Sequence, residues 1–388
     1  MMKKMFTAAM LSLALVGILF PASGTAAAEP SANAAGSSGF KDSIPEWAAS
    51  DIQGALKQGY VKGYPDGTFK PDNNVTRAEY IKMVVDALGL EKGTVKSGAP
   101  WFEPYVDAAI AANIHREKDF VDGNLNKPMT RLEMSRIAVR AIKPEFKDPS
   151  ALMDDKSFMY NATKRGIIRG MSNGELAVDG LTTRAQSVVV IQRILSILAG
   201  ETLPFDKVAT SYAEVALRGT NFETMWGART KKLPLELRTN LPDFKVTIDQ
   251  ILVTDMTDKN SPYYNNFPEL RTIGVLTDGT KLDNKYLIAM HVNLENTKAK
   301  EKALWPFDWK FENEMDYARV YLHSIKKESL KVSFKESPAI RLETVGKTDG
   351  WYFLAIDKKL ADSDPKTKII PLYNMMFQNV EYVTAEEW

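Results

Sequence analysis

Residues 59–80 read GYVKGYPDGTFKPDNNVTRAEY, and this stretch joins two segments whose apolar residues recur at helical spacing. Its Asp66-Gly67 pair lies in a turn cluster, where glycine can supply a positive φ at no steric cost. Thr76 and Glu79 form a capping box ahead of the second apolar run, because each side chain can accept a hydrogen bond from the other residue's N–H. The stretch therefore predicts a helix, a loop and a second helix, with Arg77 in the first turn of that second helix.

The capping signature occurs three times in the first half of the chain. Thr-Arg-Leu-Glu begins at Thr130 and Thr-Arg-Ala-Gln begins at Thr183, and the threonines are separated by 54 and 53 residues. Gln can replace Glu in the box, since its side-chain oxygen also accepts a hydrogen bond. Equal spacing of one local mechanism indicates an internal repeat, which predicts three helix–loop–helix units. An arginine follows the threonine in each unit: Arg77, Arg131 and Arg184.

The first unit, with Phe40-Lys41-Asp42, Trp47 and the stretch from Gly59 to Glu79, resembles the S-layer homology (SLH) domain family. The resemblance is specific in this unit and looser in the next two. It implies a mostly α-helical three-repeat module that holds a protein to the secondary cell wall polymer of a Gram-positive-type bacterium. The ligand implied by the resemblance is a pyruvylated glycan, bound in grooves between repeats.

The second and third units depart from the first in ways that bear on glycan binding. Unit two is two residues shorter between its Asp-Gly turn and its threonine. Unit three has no tryptophan where Trp47 and Trp101 stand in the other units, and it carries Gln186 in place of Glu. These departures predict that the third unit contributes least to binding.

The three arginines are the predicted anion ligands. A guanidinium can hold a carboxylate in bidentate fashion, and the N–H groups of the first helical turn can converge on the same anion. A pyruvate ketal presents such a carboxylate. The alternative is a solvated arginine, and Arg77 and Arg131 are predicted to matter more than Arg184.

Aromatic and turn residues complete the predicted glycan site. Trp47 and Trp101 can stack on the apolar face of a sugar, or else belong to the core between helices. Gly63, Tyr64 and Lys70 can approach a glycan through backbone and ammonium groups, or else serve the architecture of the turn. The full predicted set is Trp47, Gly63, Tyr64, Lys70, Arg77, Trp101, Arg131 and Arg184.

The first segment of the chain predicts secretion, and the patterns along the chain predict several domains. Lys3 and Lys4, an apolar run to Phe20 and the small residues Ala26-Ala27-Ala28 are typical of a cleaved signal peptide, and the run is shorter than the ~20 residues of a membrane span. The predicted division is a signal peptide (1–28), a spacer (29–39), repeats at 40–92, 93–145 and 146–200, a linker region (201–240) and a β-sandwich domain (241–388).

The last third of the chain changes from helical to alternating periodicity. Residues 286–294 alternate in polarity as a half-buried strand does, and short strands are predicted at 246–248, 319–325, 330–334, 340–345, 351–356, 369–373 and 380–383. Turn signals such as Asp349-Gly350 separate several of these strands. The pattern favours an all-β sandwich, and the segment YLIAMHVNLENT resembles a strand of extracellular immunoglobulin-like domains.

Composition excludes several classes of function. The formal net charge is +1, which gives no reason to expect a nucleic-acid partner, and the chain has no cysteine. His115, His291 and His323 do not stand at metal-ligand spacings, so neither a metal nor a cofactor is expected. We therefore predict a non-enzymatic, wall-anchored surface protein with no membrane contact after signal cleavage. The alternatives are an S-layer lattice protein and a wall-active enzyme, and the sequence leaves the oligomeric state open.

Overall fold

The structure is a computed structural model, and only part of the chain is described. The described residues are 39–151, 153–227, 229–237, 243–266, 282–299, 309–310, 318–320, 345–363, 371–374 and 379–382. Outside these residues lie the predicted signal peptide, nearly all of the spacer, the predicted strand at 330–334 and, except for its last residue, the predicted strand at 340–345.

Helices are the main secondary structure of the described residues up to residue 227. The first repeat contains α1 (Glu46–Gln58) and α2 (Arg77–Ala87), and the second contains α3 (Glu103–Ala111) and α4 (Arg131–Ile142). The third repeat contains the short α5 (Pro144–Lys147), then α6 (Asp155–Lys164) and α7 (Arg184–Leu198). Two more helices follow, α8 (Lys207–Arg218) and α9 (Phe222–Trp226).

All three predicted capping boxes are confirmed. In α2 the Thr76 hydroxyl accepts a hydrogen bond from the N–H of Glu79 at 3.2 Å, and the Glu79 carboxylate accepts one from the N–H of Thr76 at 2.7 Å. Thr130 with Glu133 and Thr183 with Gln186 repeat this reciprocal arrangement at α4 and α7. The cap satisfies two backbone donors that the start of a helix would otherwise leave without partners.

The three repeats close into a ring through the residues that precede the caps. The N–H of Met129 donates to the carbonyl of Val75 at 2.9 Å, and the N–H of Thr182 donates to the carbonyl of Met129 at 2.9 Å. The N–H of Val75 then donates to the carbonyl of Thr182 at 3.1 Å, which returns to the starting residue. Repeat three therefore contacts repeat one as directly as repeat one contacts repeat two, and the apolar faces of the helices share one core.

The segment predicted as a linker, 201–240, is more ordered than expected. The helix α8 runs over twelve residues of this segment, from Lys207 to Arg218. Asp206 caps α8 by accepting from the N–H groups of Val208 and Ala209 at 3.0 Å, and its other oxygen accepts from the N–H of Gly170 in repeat three at 3.0 Å. One carboxylate thus both starts the helix and fastens it to the third repeat.

The C-terminal region contains two antiparallel sheets. The larger sheet has the order β1 (Leu235–Leu237), β2 (Phe244–Asp255), β3 (Lys285–Asn296), β6 (Gly346–Asp357) and β5 (Ala318–Val320). The smaller sheet has the order β4 (Trp309–Lys310), β7 (Pro371–Asn374) and β8 (Asn379–Tyr382). A short helix, α10 (Lys358–Ser363), follows β6. The antiparallel strands fit the all-β expectation, whereas the sandwich and its immunoglobulin-like character stay predictions.

The larger sheet differs from the sequence pattern in two places. The predicted turn at Asp349-Gly350 is wrong: both residues lie inside β6, where Asp349 pairs with Asn293 and the long ladder to β3 overrides the local turn signal. The predicted half-buried strand is buried on both faces from Tyr286 to Met290. The reason is that α9 packs on one face through Phe222 and Trp226, whereas Val215 of α8 lies in the cluster on the other.

Candidate functional site: the junctions between repeats

Each capped helix begins against the loop of the following repeat, and we call each such contact a junction. The first joins the start of α2 to the loop of repeat two, the second joins α4 to the loop of repeat three, and the third joins α7 to the loop of repeat one. The first N–H of each helix donates across its junction, from Arg77 to the carbonyl of Lys127, from Arg131 to Gly180 and from Arg184 to Asn73, at 3.0, 2.9 and 2.8 Å.

The backbone donors of these helix starts are already occupied, which corrects one expectation. In α2 the N–H of Ala78 donates to the carbonyl of Leu125 at 2.9 Å, and the N–H of Glu79 donates to its cap. The same pattern holds in α4, through Leu132 and Val178, and in α7, through Ala185 and Pro71. The predicted convergence of first-turn N–H groups on a glycan carboxylate is therefore wrong, because the ring of repeats uses those donors to close itself.

The guanidinium of Arg77 is neutralised inside the protein. Its Nε donates to Glu133 Oε2 at 3.2 Å and its Nη2 donates to Glu133 Oε1. Its Nη1 donates to Asp122 Oδ1 at 2.6 Å and to the carbonyl of Asn124 at 2.9 Å. The Phe120 ring lies 4.5 Å below the guanidinium carbon, and the residue is 7% exposed. A glycan carboxylate at this junction would meet two acidic groups that already hold the arginine.

Arg131 occupies the second junction without a carboxylate partner among the described residues. Its Nε donates to the carbonyl of Leu176 at 3.0 Å and its Nη2 donates to the carbonyl of Arg169 at 2.6 Å. The residue is only 6% exposed, and burial lowers the pKa of the guanidinium from its ordinary value. A buried cation without a counter-charge costs free energy.

Arg184, in the third junction, is half-buried and holds its guanidinium against two rings. Its Nη2 donates to the carbonyl of Lys62 at 2.7 Å, and its guanidinium carbon lies 5.0 Å from the centre of the Tyr64 ring and 4.8 Å from that of Phe69. Its Nε is buried and has no hydrogen-bond partner among the described residues. The sequence ranked Arg184 last of the three arginines in glycan binding. In the structure, however, Arg184 has more N–H donors without a protein acceptor among the described residues than Arg77 has.

The predicted loop residues belong to the junction of Arg184 rather than to that of Arg77. Lys70 lies 4.4 Å above the Tyr64 ring, and its Nζ is 3.0 Å from Asp66 Oδ2, so ring, ammonium and guanidinium are close together. At Gly63 a Cβ would stand 2.4 Å from the Phe40 ring, which identifies this glycine as an element of turn architecture. Sequence reasoning missed the carbonyls of Lys62 and Arg169, since a backbone acceptor leaves no signal in side-chain patterns.

Both tryptophans of the predicted site are exposed. Trp47 is 58% exposed and Trp101 is 47% exposed, so neither is a residue of the core between helices. Trp101 packs edge-on against the neighbouring Phe102 and Tyr105 rings, with centroid distances of 5.5 and 6.3 Å. Sugar stacking by these two rings stays a prediction.

The described histidines lie within hydrogen-bond distance of carboxylates. His115 is buried with its Nδ1 3.1 Å from Asp119 Oδ2, and Arg140 binds the same carboxylate at both oxygens. His291 lies between Asp249, at 2.6 Å, and Asp349, at 3.4 Å. Within the described ranges no group of three or more His, Asp or Glu side chains could hold a metal ion. In the same ranges no helix is long and apolar enough to cross a membrane.

A ring of three capped helix–loop–helix repeats, followed by a β-rich region, defines a repeat module joined to a second domain. Comparison with protein families gives the module its name. The family model of the S-layer homology domain matches residues 39–81 and 146–186, so the chain carries S-layer homology domains at its first and third repeats.

The curated relatives match up to half of this chain and a minor part of their own length. Amylopullulanase of Thermoanaerobacterium thermosulfurigenes is 32% identical over 176 residues, which is 40% of this chain and 9% of the enzyme. The cellulosome-anchoring protein of Acetivibrio thermocellus is 28% identical over 177 residues, 39% of each chain. The middle cell wall protein of Brevibacillus brevis is 41% identical over 224 residues, 50% of this chain and 20% of that protein. The chain thus spans a small part of the first relatives it matches.

Proposed function

We propose that this chain is a cell-surface protein held non-covalently to an acidic glycan of the cell wall, with Arg131 and Arg184 as the main anion ligands. The observation that carries the proposal is the guanidinium of Arg131, which is 6% exposed and bonded only to two carbonyls. An anionic ligand would supply the counter-charge that the described residues do not. The S-layer homology domains support this assignment, as do relatives named cellulosome-anchoring protein, surface-layer 125 kDa protein and middle cell wall protein.

The chemistry of the two junctions suits a sugar carboxylate such as a pyruvate ketal. Arg131 donates from Nε and Nη2 to the protein, which leaves Nη1 to face a ligand. Arg184 donates only from Nη2 and stands beside the Tyr64 ring, on which the apolar face of a sugar can stack. The pyruvylated secondary cell wall polymer is the proposed partner because its acidic group and its sugar rings match both features.

A wall-binding assay on the secreted chain tests this proposal. Arg131→Met keeps the length of the side chain and removes the charge, so we expect binding to purified sacculi to weaken by about 1.5–3 kcal/mol, the range for a hydrogen bond to a charged group. Arg184→Ala should weaken binding comparably. The thermal midpoint of Arg131→Met should fall only modestly, because the variant loses two hydrogen bonds to carbonyls but also the desolvation cost of a buried cation without a counter-charge.

One control removes the pyruvate groups from the polymer, and another removes an arginine that is not a proposed ligand. Sacculi stripped of pyruvate should retain less of the parent protein, and Arg77→Ala should reduce binding only as far as it unfolds the chain. Equal retention of the parent and of a folded Arg131→Met, Arg184→Ala double variant would exclude these arginines as ligands.

A second candidate function is a subunit of a surface lattice. Two relatives are named surface-layer 125 kDa protein and middle cell wall protein, and the latter alignment covers half of this chain. Electron microscopy of the purified chain on sacculi would distinguish the candidates, because a lattice subunit forms periodic arrays and a simple anchored protein does not. Other relatives are named as enzymes, so a zymogram on purified wall would test the predicted lack of activity.

A further inference from the structure

A cavity of about 660 Å³ lies where the third repeat meets the two helices that follow the module. We call it the joint cavity, and it lies between α6, the segment after α7, and the ends of α8 and α9. The site residues of the three junctions do not line it. Its volume is within the roughly 300–1,000 Å³ typical of small-ligand sites.

Aromatic rings and cations alternate on the walls of the joint cavity. The Nζ of Lys164 lies 5.1 Å from the Phe205 ring, and the guanidinium of Arg218 lies 4.7 Å from the Tyr160 ring. Five cationic residues and three carboxylates line the cavity. Lys164 and Arg165 form no ion pair within the described residues, so the cavity has positive charge available to a ligand.

The Phe205 ring gives the joint cavity an accessible apolar surface. Phe205 is 39% exposed, whereas Tyr160 is 4% exposed and its ring is covered by the guanidinium of Arg218. An exposed aromatic ring beside the cationic groups of Lys164 and Arg165 is a combination that suits an acidic sugar.

From these features we propose that the joint cavity is a second carbohydrate site, which takes a sugar bearing a carboxylate or phosphate. The exposed ring of Phe205 suits the apolar face of a sugar, and Lys164 and Arg165 suit its acidic group. The site is independent of the junction arginines. Its ligand has two possible sources, an acidic unit of a wall polymer or a muramic-acid unit of peptidoglycan.

Calorimetric titration of the secreted chain with N-acetylmuramic acid, and separately with acidic fragments of the wall polymer, tests the proposal. N-acetylglucosamine is the matched neutral probe, and we expect it to bind at least fivefold more weakly than the better acidic probe, on the order of one charge-assisted hydrogen bond. The acidic probe that binds identifies the source.

Three variants locate the binding. Phe205→Leu removes the exposed ring and should weaken the better acidic probe about threefold to tenfold with little loss of thermal stability. Lys164→Gln should weaken it by a similar factor, whereas Lys156→Gln, an exposed lysine on the same helix that does not line the cavity, should not. Lys164→Gln does not alter the junction arginines, so a loss of affinity in this variant separates the joint cavity from the junctions.

Three outcomes would overturn the proposal. One is the absence of binding by either acidic probe at 10–20 mM, roughly the weakest range that calorimetry resolves for small ligands. Another is equal affinity for the neutral probe. The last is an affinity for the acidic probe that Phe205→Leu and Lys164→Gln leave unchanged while both variants remain folded.

Discussion

At the scale of single residues, three arginines in one sequence position have three different surroundings. Arg77 is paired with Asp122 and Glu133, Arg131 is bonded to carbonyls alone, and Arg184 lies against two rings. The repeat and its arginines can be identified in the sequence. The hydrogen-bond partners of the arginines cannot, because each partner lies in the next repeat of the ring. The acceptor of Arg184 is 122 residues away along the chain.

This difference predicts different effects on stability. Arg77→Ala leaves Glu133, whose side chain is 10% exposed, without its partner, so we expect a loss of about 3–5 kcal/mol in the free energy of unfolding. Arg184→Ala strands no carboxylate and should cost about 1 kcal/mol. Urea titration monitored by circular dichroism measures both. A smaller loss for Arg77→Ala than for Arg184→Ala would contradict the pairing described here.

Asp119 should give the module an acid-sensitive contribution to stability. Burial raises the pKa of its carboxyl, but hydrogen bonds from His115 and Arg140 outweigh that effect and hold the pKa well below its usual range. A depressed pKa contributes stability that is present above the unfolded value of about 3.9 and is lost as the pH falls toward the folded value. Asp119→Asn should therefore destabilise the chain at pH 7 and flatten its stability profile below pH 4, as measured by thermal unfolding in buffers of constant ionic strength. An unchanged acid slope in the variant would assign the loss to other carboxylates.

At the scale of secondary structure, the helix starts were predictable because a capping box is a local device. Thr76, Thr130 and Thr183 each stand three residues before their partner, so the pattern is complete within four residues. The ordered joint after the third repeat was less predictable. The Asp206 cap is local, but the contact of Asp206 with Gly170 and the packing of α8 on the third repeat join distant segments.

The capping boxes give a direct test at this scale. Thr76→Ala removes the acceptor for the Glu79 N–H and should lower the free energy of unfolding by about 0.5–2 kcal/mol. Thr76→Ser keeps the hydroxyl and should be nearly neutral, so it is the matched control in thermal melts. Equal losses for the two variants would show that the methyl group of Thr76, rather than its hydroxyl, carries the effect.

At the scale of the whole molecule, the ring of repeats decides which pieces can fold. The N–H of Val75 in repeat one donates to the carbonyl of Thr182 in repeat three, and the Tyr64 ring in repeat one packs on Arg184. Sequence periodicity predicts three repeats in a row but does not distinguish an open row from a closed ring. That distinction depends on contacts between the first and the last repeat, which no local pattern encodes.

Closure predicts that two repeats are not a stable unit. A fragment of residues 39–145 loses the acceptor for Val75 and the carbonyls that bind Arg131, so we expect little cooperative unfolding by calorimetry. A fragment of residues 39–227 retains the ring and the α8 cover, and it should unfold in one transition. A sharp melt of the two-repeat fragment would mean that the ring bonds are dispensable.

The closed ring also bears on how the protein would leave a surface under mechanical load. Each of the three junctions is formed by two repeats. Removing any one repeat therefore breaks two junctions at once and leaves the third without the closed ring around it. Detachment of the full chain from sacculi in a single-molecule pulling experiment should therefore occur as one rupture event per molecule. Stepwise rupture, one repeat at a time, would indicate that the three junctions hold the wall independently.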